Sequence, residues 1–197
     1  MKNTAIKLLI AFSTAIILAS CNSGPEPLYD LSDTSYPLRN IDSSRVYFPD
    51  DFEGEISVIS FIFTHCPDVC PAITANMSNI QRGLKDTTDI QFIEISFDPQ
   101  RDTPSVLKAY KKRYKLNDQF TFLTGQPETV DSLLKKMEIV AVKTFSDSLV
   151  QDSSNYNMRH SNTIYLMDKN GRIRAEYPAS VIPPEHVIED IQSLRNL

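Results

Sequence analysis

The sequence has no surplus of positive charge, no apolar run long enough to cross a bilayer, no internal repeat, and few cysteines or histidines. Twenty Lys and Arg stand against 25 Asp and Glu, a formal net charge of −5. That balance excludes a broad basic face for nucleic acid or anionic lipid. The apolar stretch at residues 8–18 is too short for a membrane-spanning helix. Three histidines and three cysteines leave few candidates for metal or redox chemistry, so each one is informative. At 197 residues, 41% apolar and 23% charged, the chain suits one globular domain with a sizeable core.

The short apolar stretch follows Lys2 and Lys7, with no acid among the first seven residues, which is the pattern of a secretory signal. It ends in Leu18-Ala19-Ser20-Cys21, which resembles a bacterial lipobox. That resemblance implies cleavage before Cys21 and acylation of its sulfur, giving a membrane lipoprotein that faces the periplasm or extracytoplasmic side. Residues 22–36 are rich in Ser, Asp and Pro without apolar periodicity. The expected division is a signal at 1–20, a lipid-anchored tether at 21–36, and one domain at 37–197.

Anchoring Cys21 leaves Cys66 and Cys70. Outside the cytoplasm two thiols usually form a structural disulfide. A bridge across four residues closes too small a loop to remove much unfolded-state entropy, so this pair reads as chemical rather than structural.

Within the domain, strand and helix signals alternate. Residues 56–63 and 90–97 are short β-branched and aromatic runs, as in strands buried on both faces. Residues 72–84, 103–114 and 128–137 show helical spacing, the second opening on Asp102-Thr103-Pro104. Strands are expected at 119–123 and 139–145. Residues 163–167 and 172–177 flank Asp168-Lys169-Asn170-Gly171, a hairpin signal. Val187, Ile188, Ile191 and Leu194 form a closing helix. This order predicts an α/β, thioredoxin-like fold: a mixed sheet with helices on its faces and a terminal hairpin.

The segment Thr64-His65-Cys66-Pro67-Asp68-Val69-Cys70-Pro71 stands where a buried strand gives way to a helix, where open α/β sheets place their sites. Pro71 suits the first turn, so Cys70 is expected at or beside the helix cap. The helix dipole and its free amides are expected to lower the thiol pKa values. One turn of chain also sets the two Cα atoms at roughly disulfide spacing, about 4.4–6.8 Å, so the pair suits either a metal or oxidation. Two thiolates are soft donors of the kind copper(I) selects, and a neutral imidazole completes such a site. His65 adjoins Cys66, so its side chain should point away if the strand continues. His186, beside Pro183-Pro184, is expected in solvent. His160 precedes the hairpin in a loop expected to lie against the cysteine turn.

Three blocks in order, Thr64 to Pro71, then Ile95-Ser96-Phe97-Asp98-Pro99-Gln100-Arg101-Asp102-Thr103-Pro104, then Arg159-His160-Ser161, resemble the Sco (SenC, PrrC) family over residues 37–197. The resemblance implies copper(I) and copper(II) binding by Cys66, Cys70 and His160. It also implies a role in supplying copper to, or reducing the cysteines of, the dinuclear copper site of cytochrome c oxidase. Partners would then be the copper-bearing oxidase subunit or another copper protein, and periplasmic thiol reductants. Phe97 stands where the family often has valine, and Met158-Arg159 where Val-Asp is frequent. Asp98 and Arg101 admit two readings: Asp98 orients the His160 ring or a loop amide, or the group is a turn, with Asp102 or Thr103 capping the next helix. Asp68 reads as a solvated turn residue.

The main alternative is a membrane-tethered thiol–disulfide oxidoreductase. Such enzymes use C-x-x-C and carry a proline before the facing strand; this chain has one more residue between its cysteines and His160-Ser161-Asn162 in that loop. A peroxidase with a lone reactive cysteine and an interaction module with a vestigial disulfide fit the pattern less well.

Overall fold

The computed structural model describes residues 26–145 and 156–196. The expected signal at 1–20 and the acylated Cys21 lie outside the described residues. Among the described residues no helix is long and apolar enough to cross a membrane.

Among the described residues, ten strands and four helices follow one another as β1 (Tyr29–Asp30), β2 (Tyr36–Asn40), β3 (Arg45–Phe48), β4 (Ile56–Ile62), α1 (Val69–Gly83), β5 (Ile90–Ser96), α2 (Pro104–Arg113), β6 (Phe120–Gly125), α3 (Pro127–Lys136), β7 (Ala141–Thr144), β8 (Asn157–His160), β9 (Thr163–Met167), β10 (Arg172–Pro178) and α4 (Pro184–Leu194). Eight strands form one sheet in the order β1-β10-β9-β4-β5-β6-β2-β3; β7 and β8 pair separately. The centre, β4-β5-β6, is parallel and the flanking pairs are antiparallel. The expected thioredoxin-like mixed sheet is therefore present.

All seven residues of β4 are buried, as a central strand covered on both faces must be. In α1, Cys70, Ile73, Met77 and Ile80 are buried at helical spacing and fix the helix on the sheet. α2, α3 and α4 each begin on proline, whose missing N–H lies where no intrahelical partner exists. The β9–β10 turn closes as expected: Asp168 Oδ1 accepts the N–H groups of Asn170 (2.9 Å) and Arg172 (3.1 Å), and Gly171 takes φ +76°.

Two expectations are corrected. The packed region begins before Pro37, because β1 adds to β10, β2 joins β3 to β6, and Leu31 is wholly buried. His160 ends a strand rather than sitting in a loop; β8 pairs antiparallel with β7, with His160 opposite Ala141.

Candidate metal centre

The site is built where β4 ends. Thr64 is held by Asp102, which accepts its N–H at 3.1 Å and its hydroxyl proton at 2.5 Å. The same carboxylate accepts the Ser96 hydroxyl at 2.7 Å, so it ties the end of β4 to the end of β5. The Cys66 N–H then turns back to the Phe63 carbonyl at 3.2 Å. Asp68 caps α1, accepting the Val69 N–H at 2.6 Å, and is thus more than a solvated turn residue. Cys70 falls in the first helical turn rather than at the cap, and Pro71 follows where its missing N–H costs nothing.

This turn brings the sulfurs together. The Cys70 N–H points at Cys66 Sγ (3.3 Å), and the Phe63 N–H at Cys70 Sγ (3.5 Å). Both cysteines are buried free thiols. His160 comes to them from β8, its Nε2 standing 3.9 Å from Cys70 Sγ. Its Nδ1 lies 2.8 Å from the Ser161 carbonyl oxygen, which can only accept, so Nδ1 is the donor there and Nε2 is the nitrogen that faces the sulfurs. Phe97 packs on the ring at 4.8 Å between centroids and Phe63 meets it edge-on at 5.7 Å.

One ligand atom from each of Cys66, Cys70 and His160 lies within 4.8 Å of the others. A planar three-coordinate ion with bonds of about 2.2 Å sets its donors roughly 3.8 Å apart, close to the sulfur–nitrogen spacing found here. Two sulfurs and a neutral imidazole fit a soft ion. His65 is exposed and approaches Thr64 Oγ1 at 3.3 Å; His186 is exposed on α4. Neither joins the donor set.

The electrostatics depart from expectation at Cys70. Burial pushes its thiol well above the ordinary range, and the neighbouring Cys66 adds to the rise. The Phe63 N–H acts the other way without offsetting it, so desolvation outweighs any help from the helix start. A bound cation would reverse this balance by supplying the opposite charge directly.

Asp98 does not touch the imidazole. Its buried carboxylate takes an ion pair from Arg101 Nε and accepts the Tyr156 hydroxyl proton at 2.5 Å. Arg101 Nη1 donates to the Tyr156 carbonyl at 2.8 Å, and the guanidinium stacks 3.6 Å from the centre of the Tyr156 ring. Both residues therefore clamp the backbone immediately before β8, the strand that carries His160. Tyr156, Thr64 and the anchoring role of Asp102 were missed in the sequence, where Asp102 reads only as a helix-start residue.

The SCO1/SenC family model matches residues 32–196. The chain belongs to that family. SCO2-like protein RP587 of Rickettsia prowazekii is 34% identical to it over 176 residues, 85% of this chain and 83% of that protein. Three solved Sco structures share the fold. ScoI of Bradyrhizobium japonicum with copper bound is 28% identical, with a TM-score of 0.70 over 82% of this chain and 98% of that one. A SCO1/SenC family lipoprotein from Bacillus anthracis str. Ames is 29% identical, with a TM-score of 0.73 over 88% and 99%. BsSco, described by its disulfide switch and as a member of the Sco family of cytochrome c oxidase assembly proteins, is 26% identical, with a TM-score of 0.68 over 88% and 98%.

Proposed function

We propose that this Sco-family chain is an extracytoplasmic copper metallochaperone. It holds copper as cargo through Cys66, Cys70 and His160 and serves the dinuclear copper site of cytochrome c oxidase. The observation that carries the reading is the convergence of two sulfurs and an imidazole nitrogen within 4.8 Å, from segments 90 positions apart. Family membership and the copper-bound Bradyrhizobium relative support it.

The test is a competition titration of the reduced protein against a copper(I) chelator, for the parent and for Cys66→Ser. The parent retains one copper(I) per chain and the variant loses it; equal retention overturns the reading. His160→Ala removes the imidazole but leaves two thiolates, enough for a linear copper(I) site and too few for copper(II). Copper(II) binding therefore suffers far more than copper(I) binding in that variant.

Attachment to the membrane through acylated Cys21 is part of the same proposal, supported by the Leu18-Ala19-Ser20-Cys21 pattern and the lipoprotein relative. Labelling cells with radioactive palmitate marks the parent and spares Cys21→Ala.

The free, adjoining thiols also favour a reductase reading, to which the disulfide switch of BsSco lends support. In thiol–disulfide exchange with an oxidised client, the Cys66–Cys70 dithiol gives up two electrons and two protons and closes to a disulfide while the client disulfide opens. Periplasmic reductants would then restore the dithiol. Copper-free protein that reduces an oxidised copper-site peptide as well as loaded protein does would favour this role.

A further inference from the structure

The donor set leaves one side of the site open. Cys66 and His160 line a cleft of ≈310 Å³ that is also bordered by Asp68 and Met158. Met158 lies two residues before His160 on β8, and strand alternation sends those two side chains to the same face. Both are half-buried, whereas Asn157 and Arg159 between and beside them are exposed. Met77, Met137 and Met167 are fully enclosed in the core, so among the described methionines only Met158 borders the cleft.

Charge and softness separate Met158 from Asp68 as a further donor. Copper(I) with two thiolates already carries a net negative charge, and a hard carboxylate adds a second. A thioether is soft and neutral, which matches copper(I) and leaves the charge unchanged. Methionine also has three rotatable bonds, so its sulfur reaches a nearby point without moving the strand.

We propose that Met158 supplies its thioether sulfur to copper(I) in this cleft, as a fourth donor beside Cys66, Cys70 and His160. The inference rests on the copper reading above. Because a thioether favours the soft oxidation state, Met158 biases the site toward copper(I) and contributes little to copper(II).

The experiment uses the detergent-solubilised full chain, grown with selenomethionine and loaded with copper(I), and selenium-edge X-ray absorption. The expected spectrum has a copper atom at bonding distance from a fraction of the selenium, and Met158→Leu, which keeps the apolar bulk, abolishes it. In the unlabelled protein Met158→Leu weakens copper(I) about tenfold while the copper(II) spectrum and the melting of the metal-free chain stay unchanged. A spectrum without a copper neighbour, a copper neighbour that survives Met158→Leu, or equal copper(I) affinity in the two chains overturns the inference while leaving the copper reading intact. A parent that takes up no copper overturns both.

Discussion

Replacing Asp98 tests whether the clamp before β8 positions the imidazole. In Asp98→Ala the Tyr156 hydroxyl loses its acceptor and the Arg101 guanidinium loses its ion-pair partner. Stranding one partner of a buried pair costs about 3–5 kcal/mol, and Arg101 retains some solvent, which favours the lower end, about 3 kcal/mol. For a domain of this size each kcal/mol moves the melting temperature by about 2–4 °C, so a drop of roughly 6–12 °C is expected. With the Tyr156 carbonyl less firmly held, His160 is presented less accurately, and supporting residues of this kind typically change metal affinity about 10- to 100-fold. Copper(II), which needs the ring, weakens by at least tenfold, and copper(I), held by two sulfurs, weakens less. Asp98→Asn keeps the shape and an acceptor for Tyr156, so it shows the binding defect with a smaller melting shift. Differential scanning calorimetry and copper(II) titration read both effects. Unchanged copper(II) affinity in a folded Asp98→Ala protein would refute the positioning argument.

Three further outcomes are expected. Glu94 is fully buried, its carboxyl accepts one hydrogen bond, from Thr74 at 2.8 Å, and burial pushes its pKa up to about 8 from an ordinary 4.5. The unfolded chain ionises near the lower value while the folded chain keeps the proton, so stability falls as pH rises from 4.5 to about 8 and then levels off. Glu94→Gln removes this component, worth of the order of a few kcal/mol, and urea denaturation across that range shows a flatter profile. Leu31→Ala costs about 2–5 kcal/mol, and a chain begun at Pro37 loses more, measured by the same denaturation. In the reduced, metal-free protein iodoacetamide labels Cys66 well before Cys70, because Cys70 is wholly enclosed and its thiol is held protonated by burial; peptide mass spectrometry gives the order.

The parts of the fold that were legible are those where one strong physical signal acts alone. β4 and β5 are apolar runs because both faces are covered, and the β9–β10 turn carries its own Asp and Gly chemistry. The first three strands were not legible. β1 has two residues, and the serine, aspartate and proline around it suggest a tether; only Leu31 is driven inward. β8 reads Asn-Met-Arg-His, polar at its exposed positions, and owes its conformation to pairing with β7 rather than to any apolar pattern. The cysteine pair was legible from its spacing at a strand–helix junction, and its meeting with His160 followed from the fold. The charge state of Cys70 was misread because a sequence displays the helix start but not the depth of burial. The Asp98–Tyr156 contact spans 58 positions, beyond the reach of local pattern.

The separation of β7–β8 from the eight-stranded sheet has a mechanical result. The thiols sit at the end of β4 and the start of α1 and the imidazole on β8, so an ion held by all three would fasten the small hairpin to the main sheet as a removable cross-link. In the copper reading proposed above, that hold would add to the one Arg101 already gives through Tyr156, and emptying the site would remove it.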